Sequence, residues 1–307
     1  MGKVAKVLKK RKNDLSIHKF TEYFRDEQAC KDYLFRLKWP KGFYCPKCGN
    51  QTASVTKRGQ FQCKQCKHQT SITAGTLFHK SHLNLQLWFW AIYLFCRDKR
   101  GCSAVAIKNA LNISYPTAWL MLQKIRSAMI SRENDYILDG IVLVDEFYWG
   151  GKKTGENGRR TEKSNVLVSL SMSPTGKPLF VKVNVIDGFS TKVIDSVAQK
   201  TIQSGSLLVS DSDPTLKNLY GYDHFVVNVT RDKETALRVL NWLHKFISNL
   251  KSSLLATYHG PSKKHLQRYL AEFCYRFNRR FCEHLIFDKL LFACVSNVPV
   301  TYADLTL

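Results

Sequence analysis

The chain has 307 residues, of which 44% are hydrophobic, so it can bury the core of two or three domains and is not a disordered protein. Its 47 Lys and Arg residues outnumber its 24 Asp and Glu residues, which gives a net charge of +23. Residues 1–131 carry 24 basic and 6 acidic side chains, or +18 of that charge. An excess of this size is typical of proteins that contact a polyanion, and it favours nucleic acid as a partner.

The sequence predicts neither a membrane span nor a signal peptide. The most apolar run, residues 85–96, is followed at once by the charged residues 97–100. The lysine-rich start lacks the apolar segment of a signal peptide. We therefore expect a cytoplasmic protein, whose 10 cysteines are metal ligands or free thiols rather than disulfides.

Residues 1–17 are rich in lysine and predict a mobile basic arm, although a solvated terminus without contacts fits them equally well. Helical spacing of apolar residues predicts a short helix over residues 26–38. A zinc ribbon is predicted next, and with the preceding helix it spans residues 18–78.

The ribbon is predicted from two CxxC pairs that are separated by 14 residues. A tight turn within each pair can aim two thiolates at one tetrahedral ion, so the four sulfurs predict a closed structural Zn²⁺ site. The less favoured alternative is a set of structural thiols without metal, and a ribbon by itself binds DNA, RNA or protein. The predicted zinc ligands are Cys45, Cys48, Cys63 and Cys66.

Residues 79–131 are predicted to be helical. An aromatic-rich helix over residues 83–96 is expected to be core. Two helices over 103–111 and 115–129 predict a helix-turn-helix whose second helix enters the DNA major groove. Any pair of antiparallel helices would look similar, and only the local basic excess favours DNA. We expect Tyr115, Thr117 and Ala118 to face bases, and Lys124 and Arg126 to face phosphates.

The pattern becomes that of an α/β domain over residues 138–290, and residues 291–307 are predicted to be a C-terminal tail. Short apolar runs bounded by Gly and Pro predict strands, and longer periodic segments predict helices. The strands are expected near 141–144, 166–171, 179–186, 207–209 and 225–227, and the helices near 192–202, 235–255 and 264–277.

Two of the predicted strands end in a carboxylate. Asp145 follows the apolar run 141–144, and Asp211 follows the run 207–210. A side chain at the end of a buried strand emerges into a crevice. Paired hard-oxygen ligands there would suit Mg²⁺ or Mn²⁺ in two-metal phosphoryl transfer. One such Asp alone would more simply be a solvated residue, but the two together favour a site.

Several segments resemble motifs of a bacterial insertion-sequence transposase family, ISXO-like and related to the eukaryotic Merlin elements. That family joins a zinc ribbon to a ribonuclease H-like DDE core. The resemblance extends from about residue 20 to about residue 285. The segments are 144–153, Ser210 with Asp211, 244–251, and 258–273 followed by Arg276, Phe277 and Asn278.

The resemblance implies a ribonuclease H-like mixed sheet with helices on both faces. It implies an enzyme that binds the terminal inverted repeats of its element and catalyses metal-dependent DNA strand cleavage and strand transfer, with Mg²⁺ or Mn²⁺ as cofactor. The partner would be double-stranded DNA, both element ends and target, and pairing of two ends implies at least a homodimer on DNA. In bacteria such a protein would be nucleoid-associated when bound.

The resemblance also implies a catalytic metal site on Asp145 and Asp211 with a third ligand on a later helix. In DDE enzymes the third position is usually a Glu followed seven residues later by a Lys. Lys251 fits that Lys, but the residue seven positions before it is His244. Imidazole binds Mn²⁺, and Mg²⁺ less readily. Asn249 is the alternative third ligand, and a histidine of the core is the competing interpretation of His244.

Basic residues near these motifs are expected to contact DNA. Lysines behind the first Asp would neutralise a phosphate that the adjacent glycines let the backbone approach; a plain turn is the alternative. The expected contacts are Lys152 and Lys153, and a basic face of Lys263, Lys264, Arg268, Arg276, Arg279 and Arg280.

Two rival functions remain open at this stage. The missing Glu favours a catalytically inactive or domesticated DNA-binding protein, and a structure-selective nuclease could use the same fold. The sequence has no GxxxxGK loop and so gives no sign of a nucleotide cofactor.

Overall fold

The computed structural model describes residues 15–151, 163–216, 219–228 and 231–306, with the side chain of Leu237 left out. These residues form two compact units. One unit comprises the described residues up to Ser131 together with those from Phe281 onward, and the other is Arg132–Arg280. The second unit is therefore an insertion within the first. No helix of the described residues has both the length and the apolar character that a membrane crossing needs.

Among the residues that the structure describes, the N-terminal part of the first unit contains five helices and a small sheet. Four of the helices begin directly after a Ser, Asp or Asn whose side chain accepts a hydrogen bond from the first turn, so local sequence sets these starts. The antiparallel sheet is β1–β2–β3. The elements are α1 (Ile17–Tyr23), α2 (Glu27–Lys38), β1 (Ala53–Val55), β2 (Phe61–Cys63), β3 (Gln69–Thr70), α3 (Leu85–Arg97), α4 (Ala104–Leu111) and α5 (Tyr115–Asn134).

The start of this unit differs from the predicted arm over residues 1–17. Leu15 is buried, and its carbonyl oxygen accepts a hydrogen bond from the Tyr93 hydroxyl at 2.9 Å. Helix α1 already begins at Ile17 and was not predicted. Residues 1–14, where the rest of the predicted arm falls, lie outside the described residues.

Lys38 at the end of α2 holds the segment that follows the ribbon. Its Nζ donates to the carbonyl oxygens of Ser71, Ile72 and Ala74, at 3.3, 3.0 and 2.5 Å. These three bonds use all three donors of the ammonium group. This basic residue is therefore structural, although it belongs to the most basic part of the chain.

The second unit is built on a five-stranded mixed sheet with strand order β6-β5-β4-β7-β8. Strands β4, β5 and β6 are antiparallel neighbours, whereas β7 is parallel to β4 and β8 is parallel to β7. The elements are β4 (Ile141–Trp149), β5 (Ser164–Met172), β6 (Pro178–Ile186), α6 (Thr191–Thr201), β7 (Leu207–Ser210), β8 (Asp223–Val226), α7 (Lys233–Tyr258) and α8 (Leu266–Phe277).

Helices cover both faces of this sheet. Leu143 and Val209 pack in one core cluster with residues of α7 and α8. Their strand neighbours Val142 and Leu208 pack in another cluster with α6. Successive residues of a strand point to opposite faces, so the apolar runs of β4 and β7 serve both layers. The predicted mixed α/β sheet with helices on both faces is confirmed.

Side chains of α8 and of the residue that follows it form hydrogen bonds with the backbone of β6, the edge strand of the sheet. Gln267 accepts a hydrogen bond from the backbone N–H of Val185 (2.7 Å) and donates to the carbonyl of Val183 (2.9 Å). Asn278 makes the same pair of bonds with Val181, at 2.8 and 3.0 Å. An edge strand with unpaired backbone groups is open to pairing with another chain, and here those groups are occupied.

The chain ends with α9 (Ile286–Ser296) and α10 (Tyr302–Thr306), which lie in the first unit. The Tyr33 hydroxyl of α2 donates to the buried Asp288 carboxylate of α9 at 2.5 Å, and the ring of Phe287 packs at right angles to that of Phe20. The predicted boundaries at 138–290 and 291–307 therefore differ from the two compact units. The apolar pattern of a helix shows that one face is buried, but it does not show in which hydrophobic core.

Candidate functional site

The four predicted zinc ligands come together in the first unit. Among the described residues, Cys45, Cys48, Cys63 and Cys66 form the one group of three or more potential metal ligands whose donor atoms all lie within 4.8 Å of one another. Two Sγ pairs are 3.6 Å apart. Tetrahedral zinc with bonds of about 2.3 Å requires sulfurs about 3.8 Å apart. The cluster therefore fits a structural Zn²⁺.

The two cysteine knuckles have the same backbone conformation. The N–H of Gly49 donates to the carbonyl of Cys45 (2.9 Å), and the N–H of Lys67 donates to that of Cys63 (3.1 Å). Gly49 and Lys67 both have a positive φ, +78° and +59°. Glycine adopts this conformation without strain, so the second knuckle is the more strained of the two.

The environment of Cys63 favours the thiolate that zinc binds. Burial raises its pKa, but hydrogen bonds from the backbone of Cys66 and from the side chain of Asn50 outweigh burial and lower it to about 6. Asn50 Nδ2 lies 3.4 Å from the Cys63 sulfur. A thiolate already stabilised in this way needs less proton release when metal binds.

Asp145 and Asp211 lie level with each other on neighbouring parallel strands. The register pairs Leu143 with Val209, and each Asp lies two residues further along its strand. Neighbouring strands are about 4.8 Å apart, so the backbone brings the two residues close. Strand β7 ends one residue before Asp211, but β4 continues four residues past Asp145, paired with β5. The predicted strand-end position is confirmed for Asp211 and wrong for Asp145, because pairing with β5 keeps β4 extended.

Both carboxylates belong to the sheet face that α7 covers. They have the same parity along their strands as Leu143 and Val209, which pack against α7. His244 of α7 places its Nε2 3.7 Å from Oδ2 of Asp145. The structure therefore places His244, the predicted third ligand, beside Asp145.

Lys251, two turns further along α7, also lies near Asp145. Seven residues separate it from His244, which puts the two side chains about 20° apart around the helix. Its Nζ lies 4.7 Å from the ring centroid of Phe147, two residues after Asp145 on the same face of β4. Burial lowers the pKa of Lys251, and the negative charge of Asp145 opposes that shift. Phe147 was not anticipated, because an aromatic residue in an apolar strand reads as core.

The pKa of Asp145 is raised from its usual value, chiefly because burial disfavours the charged form. The hydrogen bond from the Glu146 N–H, 2.7 Å from Oδ1, lowers it, Asp211 raises it, and His244 and Lys251 lower it. All three predicted partners of Asp145 therefore act on it electrostatically. A cation bound between the carboxylates would relieve the unfavourable burial and repulsion.

The helix geometry separates the candidates for the third position. The His244 side chain is 48% exposed, so the interpretation as a core histidine is wrong. Asn249 lies five residues further, about 140° around α7 from His244, and its side chain is also exposed. His244, not Asn249, shares the face of Lys251.

Glu272, the acidic residue of α8, is engaged within the core and not at the site. Its side chain is 2% exposed and accepts hydrogen bonds from the Tyr258 hydroxyl (2.6 Å) and from Arg276 (3.0 Å). A carboxylate held by a hydroxyl and a guanidinium in the core is a structural ion pair.

Comparison with known families gives these arrangements a context. The model of an ISXO2-like transposase domain matches residues 137–278, and the model of a transposase zinc-ribbon domain matches residues 25–69. Together they cover more than half of the chain. The chain belongs to this family of insertion-sequence transposases.

One curated relative of this chain comes from Halobacterium salinarum and is described as an uncharacterized protein in transposable element ISH50. The two are 28% identical over 159 residues, which is 50% of this chain and 51% of the relative. The chain thus spans about half the length of the curated relative it matches.

The predicted helix-turn-helix segment forms the two helices α4 and α5, joined by residues 112–114. None of the residues 118–129 is exposed, and Ala118 is fully buried. Arg126 is 1% exposed, with its guanidinium 5.5 Å from the ring centroid of Phe95. The predicted base contact of Ala118 and phosphate contact of Arg126 are therefore wrong, because both side chains point into the core.

The first turn of α5 keeps an accessible surface. Tyr115 is 49% exposed, and Thr117 is bonded through its hydroxyl and N–H to Ser114. Lys124 is partly buried, and burial lowers its pKa. DNA contact by Tyr115, Thr117 and Lys124 stays a prediction. Tyr115 and Thr117 lie in the first turn of α5, whereas Lys124 lies in the middle of the helix.

The basic residues after α7 divide into two groups. Lys263 and Lys264 are exposed, and Arg268 is partly buried with its Nη1 2.9 Å from Nδ1 of His265.

Lys152 and Lys153, the DNA contacts predicted behind Asp145, lie outside the described residues.

The second group of arginines does not form the predicted DNA face. Arg276 binds Glu272, and Arg279 binds the buried carboxylate of Glu133. Arg280 donates to backbone carbonyls at the start of β6. These three guanidiniums stabilise the second unit through contacts within it. Helical spacing in the sequence did not predict these partners.

Proposed function

We propose that this protein is a transposase that recognises the terminal inverted repeats of an insertion sequence and catalyses metal-dependent cleavage and strand transfer of DNA. The observation that carries the proposal is the level placement of Asp145 and Asp211 on parallel strands, opposite a helix that presents His244 and Lys251. Two carboxylates at one edge of a parallel pair are the ligands that a phosphoryl-transfer metal site requires.

The proposed catalytic fold is ribonuclease H-like. Three antiparallel strands lie on one side of the sheet, two parallel strands on the other, and helices cover both faces. This order agrees with the fold that the family resemblance implies. The central strand β4 carries Asp145, and the adjacent β7 leads into Asp211.

Asp145 and His244 can share one divalent cation. Adjacent ligands of an octahedral ion lie about 3.0 Å apart and opposite ligands about 4.2 Å apart, and Nε2 of His244 lies 3.7 Å from Oδ2 of Asp145. Among the described residues, the donor atoms of Asp145, Asp211 and His244 do not all lie within 4.8 Å of one another, so the three residues would hold more than one cation. Oδ1 of Asp145 and Oδ1 of Asp211 each accept a backbone N–H, at 2.7 and 3.0 Å. These bonds orient both carboxylates. The imidazole favours Mn²⁺ over Mg²⁺ compared with a third carboxylate.

The chain supplies groups for each step. Asp145, Asp211 and His244 would hold the cations, which when bound activate a water or a 3′-hydroxyl and stabilise the leaving oxygen. Lys251 lies where its ammonium can contact a phosphate of the bound strand. Exposed Lys263 and Lys264 would extend that contact along the backbone of the DNA.

DNA recognition falls to the first unit in this proposal. It contains the zinc ribbon and the exposed first turn of α5, and the sequence up to residue 131 carries a charge of +18. Such a charge binds phosphates with a strong dependence on salt. Because two element ends must be joined, we propose a homodimer or larger assembly on DNA.

A catalytically inactive DNA-binding protein is the second candidate. The observation that favours it is His244, since an imidazole contributes one negative charge less than the usual Glu. Such a protein would keep the zinc cluster and the basic surfaces, and would bind DNA without cutting it.

One experiment separates the candidates. The zinc-loaded protein is incubated with labelled terminal-repeat DNA and a target plasmid, in Mg²⁺ and in Mn²⁺. Asp145→Asn and His244→Ala should abolish both cleavage and joining, whereas Asn249→Ala should retain them. Asn249→Ala is the matched control because it lies on the same helix but on another face.

The remaining outcomes discriminate the alternatives. Binding without cleavage in either metal contradicts the enzyme proposal and supports the inactive DNA-binding protein. Cleavage without joining indicates a nuclease. Loss of activity in Asn249→Ala with retention in His244→Ala would reverse the assignment of the third ligand.

A further inference from the structure

We propose that Ser210 and His224 are positioning residues for Asp211. They act by fixing the peptide that carries its carboxylate. The inference rests on the proposed function, because it assigns these two residues a role at the same cation site.

The hydroxyl of Ser210 lies between a histidine and a backbone carbonyl. Its Oγ donates to the carbonyl oxygen of Asp211 at 2.8 Å and lies 2.8 Å from Nε2 of His224 on β8. Ser210 is almost fully buried, and β8 is the strand beside β7. The contact therefore links the neighbouring strand to the residue that follows the end of β7.

The chemistry of the hydroxyl determines the state of the histidine. A serine hydroxyl has one hydrogen, and here it is directed at the Asp211 carbonyl. Nε2 of His224 must then carry a hydrogen and donate to Oγ. The chain of bonds runs from His224 through Ser210 to Asp211, and each donor strengthens the next.

This chain of hydrogen bonds lies at the end of β7, where strand pairing of the backbone stops. The last β7 residue is Ser210, whose carbonyl accepts the N–H of Val227, and Ser212 donates to the carbonyl of Val227 at 3.3 Å. Asp211 lies between these two anchors. Its own carbonyl is held by Ser210 and its Oδ1 by the N–H of Asp213.

Ser210 and His224 do not have to touch the metal to matter. By strand parity, Ser210 lies on the opposite face of β7 from Asp211, and His224 pairs with Leu208, which packs against α6. They therefore act on Asp211 from the opposite face of the sheet, through its backbone carbonyl. Partners that orient a metal ligand in this way typically change metal affinity or activity by about 10- to 100-fold when removed.

The test measures Mn²⁺ binding by electron paramagnetic resonance in the full-length, zinc-loaded protein, together with the melting temperature. Ser210→Ala and His224→Leu should each raise the Mn²⁺ dissociation constant by about 10-fold or more. His224→Gln keeps an amide N–H donor and should restore most of the affinity. Ser204→Ala is the matched control, because its hydroxyl also donates to a carbonyl but near the other end of β7.

Asp211→Asn distinguishes failure of the inference from failure of the proposed function. If Asp211→Asn loses Mn²⁺ while Ser210→Ala and His224→Leu bind it normally, the inference is overturned and the cation site stands. If Asp211→Asn binds Mn²⁺ like the unmodified protein, the cation site itself is refuted. If affinity and melting temperature fall together, in His224→Gln as in His224→Leu, the pair is merely structural and the inference is also overturned.

Discussion

Replacement of Glu272 by Ala tests which residues of the second unit are structural and which belong to the site. The Glu272 carboxylate is 2% exposed and accepts hydrogen bonds from Tyr258 and from Arg276, whose side chain is 10% exposed. Without it, a guanidinium is left in the core without this acceptor. We expect Glu272→Ala to destabilise the protein strongly and His244→Ala to leave its stability nearly unchanged.

The expected magnitude follows from the burial of the pair. Removing one partner of a buried ion pair costs about 3–5 kcal/mol. Arg132–Arg280 comprises 149 residues, for which the unfolding entropy near the midpoint is about 0.3 kcal/mol/K. The melting temperature of the second unit should therefore fall by about 10 to 16 °C in Glu272→Ala. An exposed change such as His244→Ala should stay within about 0.5 kcal/mol.

The assay is thermal unfolding followed by circular dichroism, combined with Mn²⁺ binding at a temperature where both variants are folded. Glu272→Ala should melt early and still bind Mn²⁺, and His244→Ala should melt normally and bind it weakly. The opposite pattern, normal melting with lost Mn²⁺ in Glu272→Ala, would show that Glu272 is the third ligand and that this assignment of roles is mistaken.

Three further predictions concern the first unit. Lys38→Met removes one hydrogen-bond donor from each of three carbonyl groups and should lower the free energy of unfolding by about 2–4 kcal/mol in urea titrations; an unchanged midpoint would show that these bonds contribute nothing. Tyr33→Phe removes the hydrogen bond to Asp288 and should cost about 1.5–3 kcal/mol in the same assay, which a wild-type midpoint would contradict. Metal analysis should find one equivalent of zinc in the unmodified protein and none in Cys63→Ser, and retention of zinc by the variant would place the ion elsewhere.

The sequence predicts best what is local. The zinc cluster is recoverable because each CxxC turn fixes two sulfurs by itself, and both knuckles have closely similar hydrogen bonds. The level placement of Asp145 and Asp211 follows from two apolar runs that become neighbouring parallel strands. His244 and Lys251 were implied by the family resemblance, and a spacing of seven residues explains why the two side chains lie on one face of the helix.

The sequence predicts poorly where a charged side chain points. Arg126 and Arg279 count as basic residues for DNA in any sum of charges, yet one lies buried beside Phe95 and the other binds Glu133, which is 146 residues away in the chain. Such partners are determined by tertiary packing. For the same reason neither the unit to which α9 belongs nor the role of Ser210 could be read from periodicity.

The insertion of one unit within the other has a consequence for synthesis of the protein. Tyr33 and Asp288 are 255 residues apart, and α9 packs with the first helices of the chain. At ribosomal rates of about 5–20 residues per second, roughly 13 to 50 s separate the two residues. The N-terminal unit must therefore wait for the last part of the chain, and a polypeptide released early lacks the helix that completes the first unit.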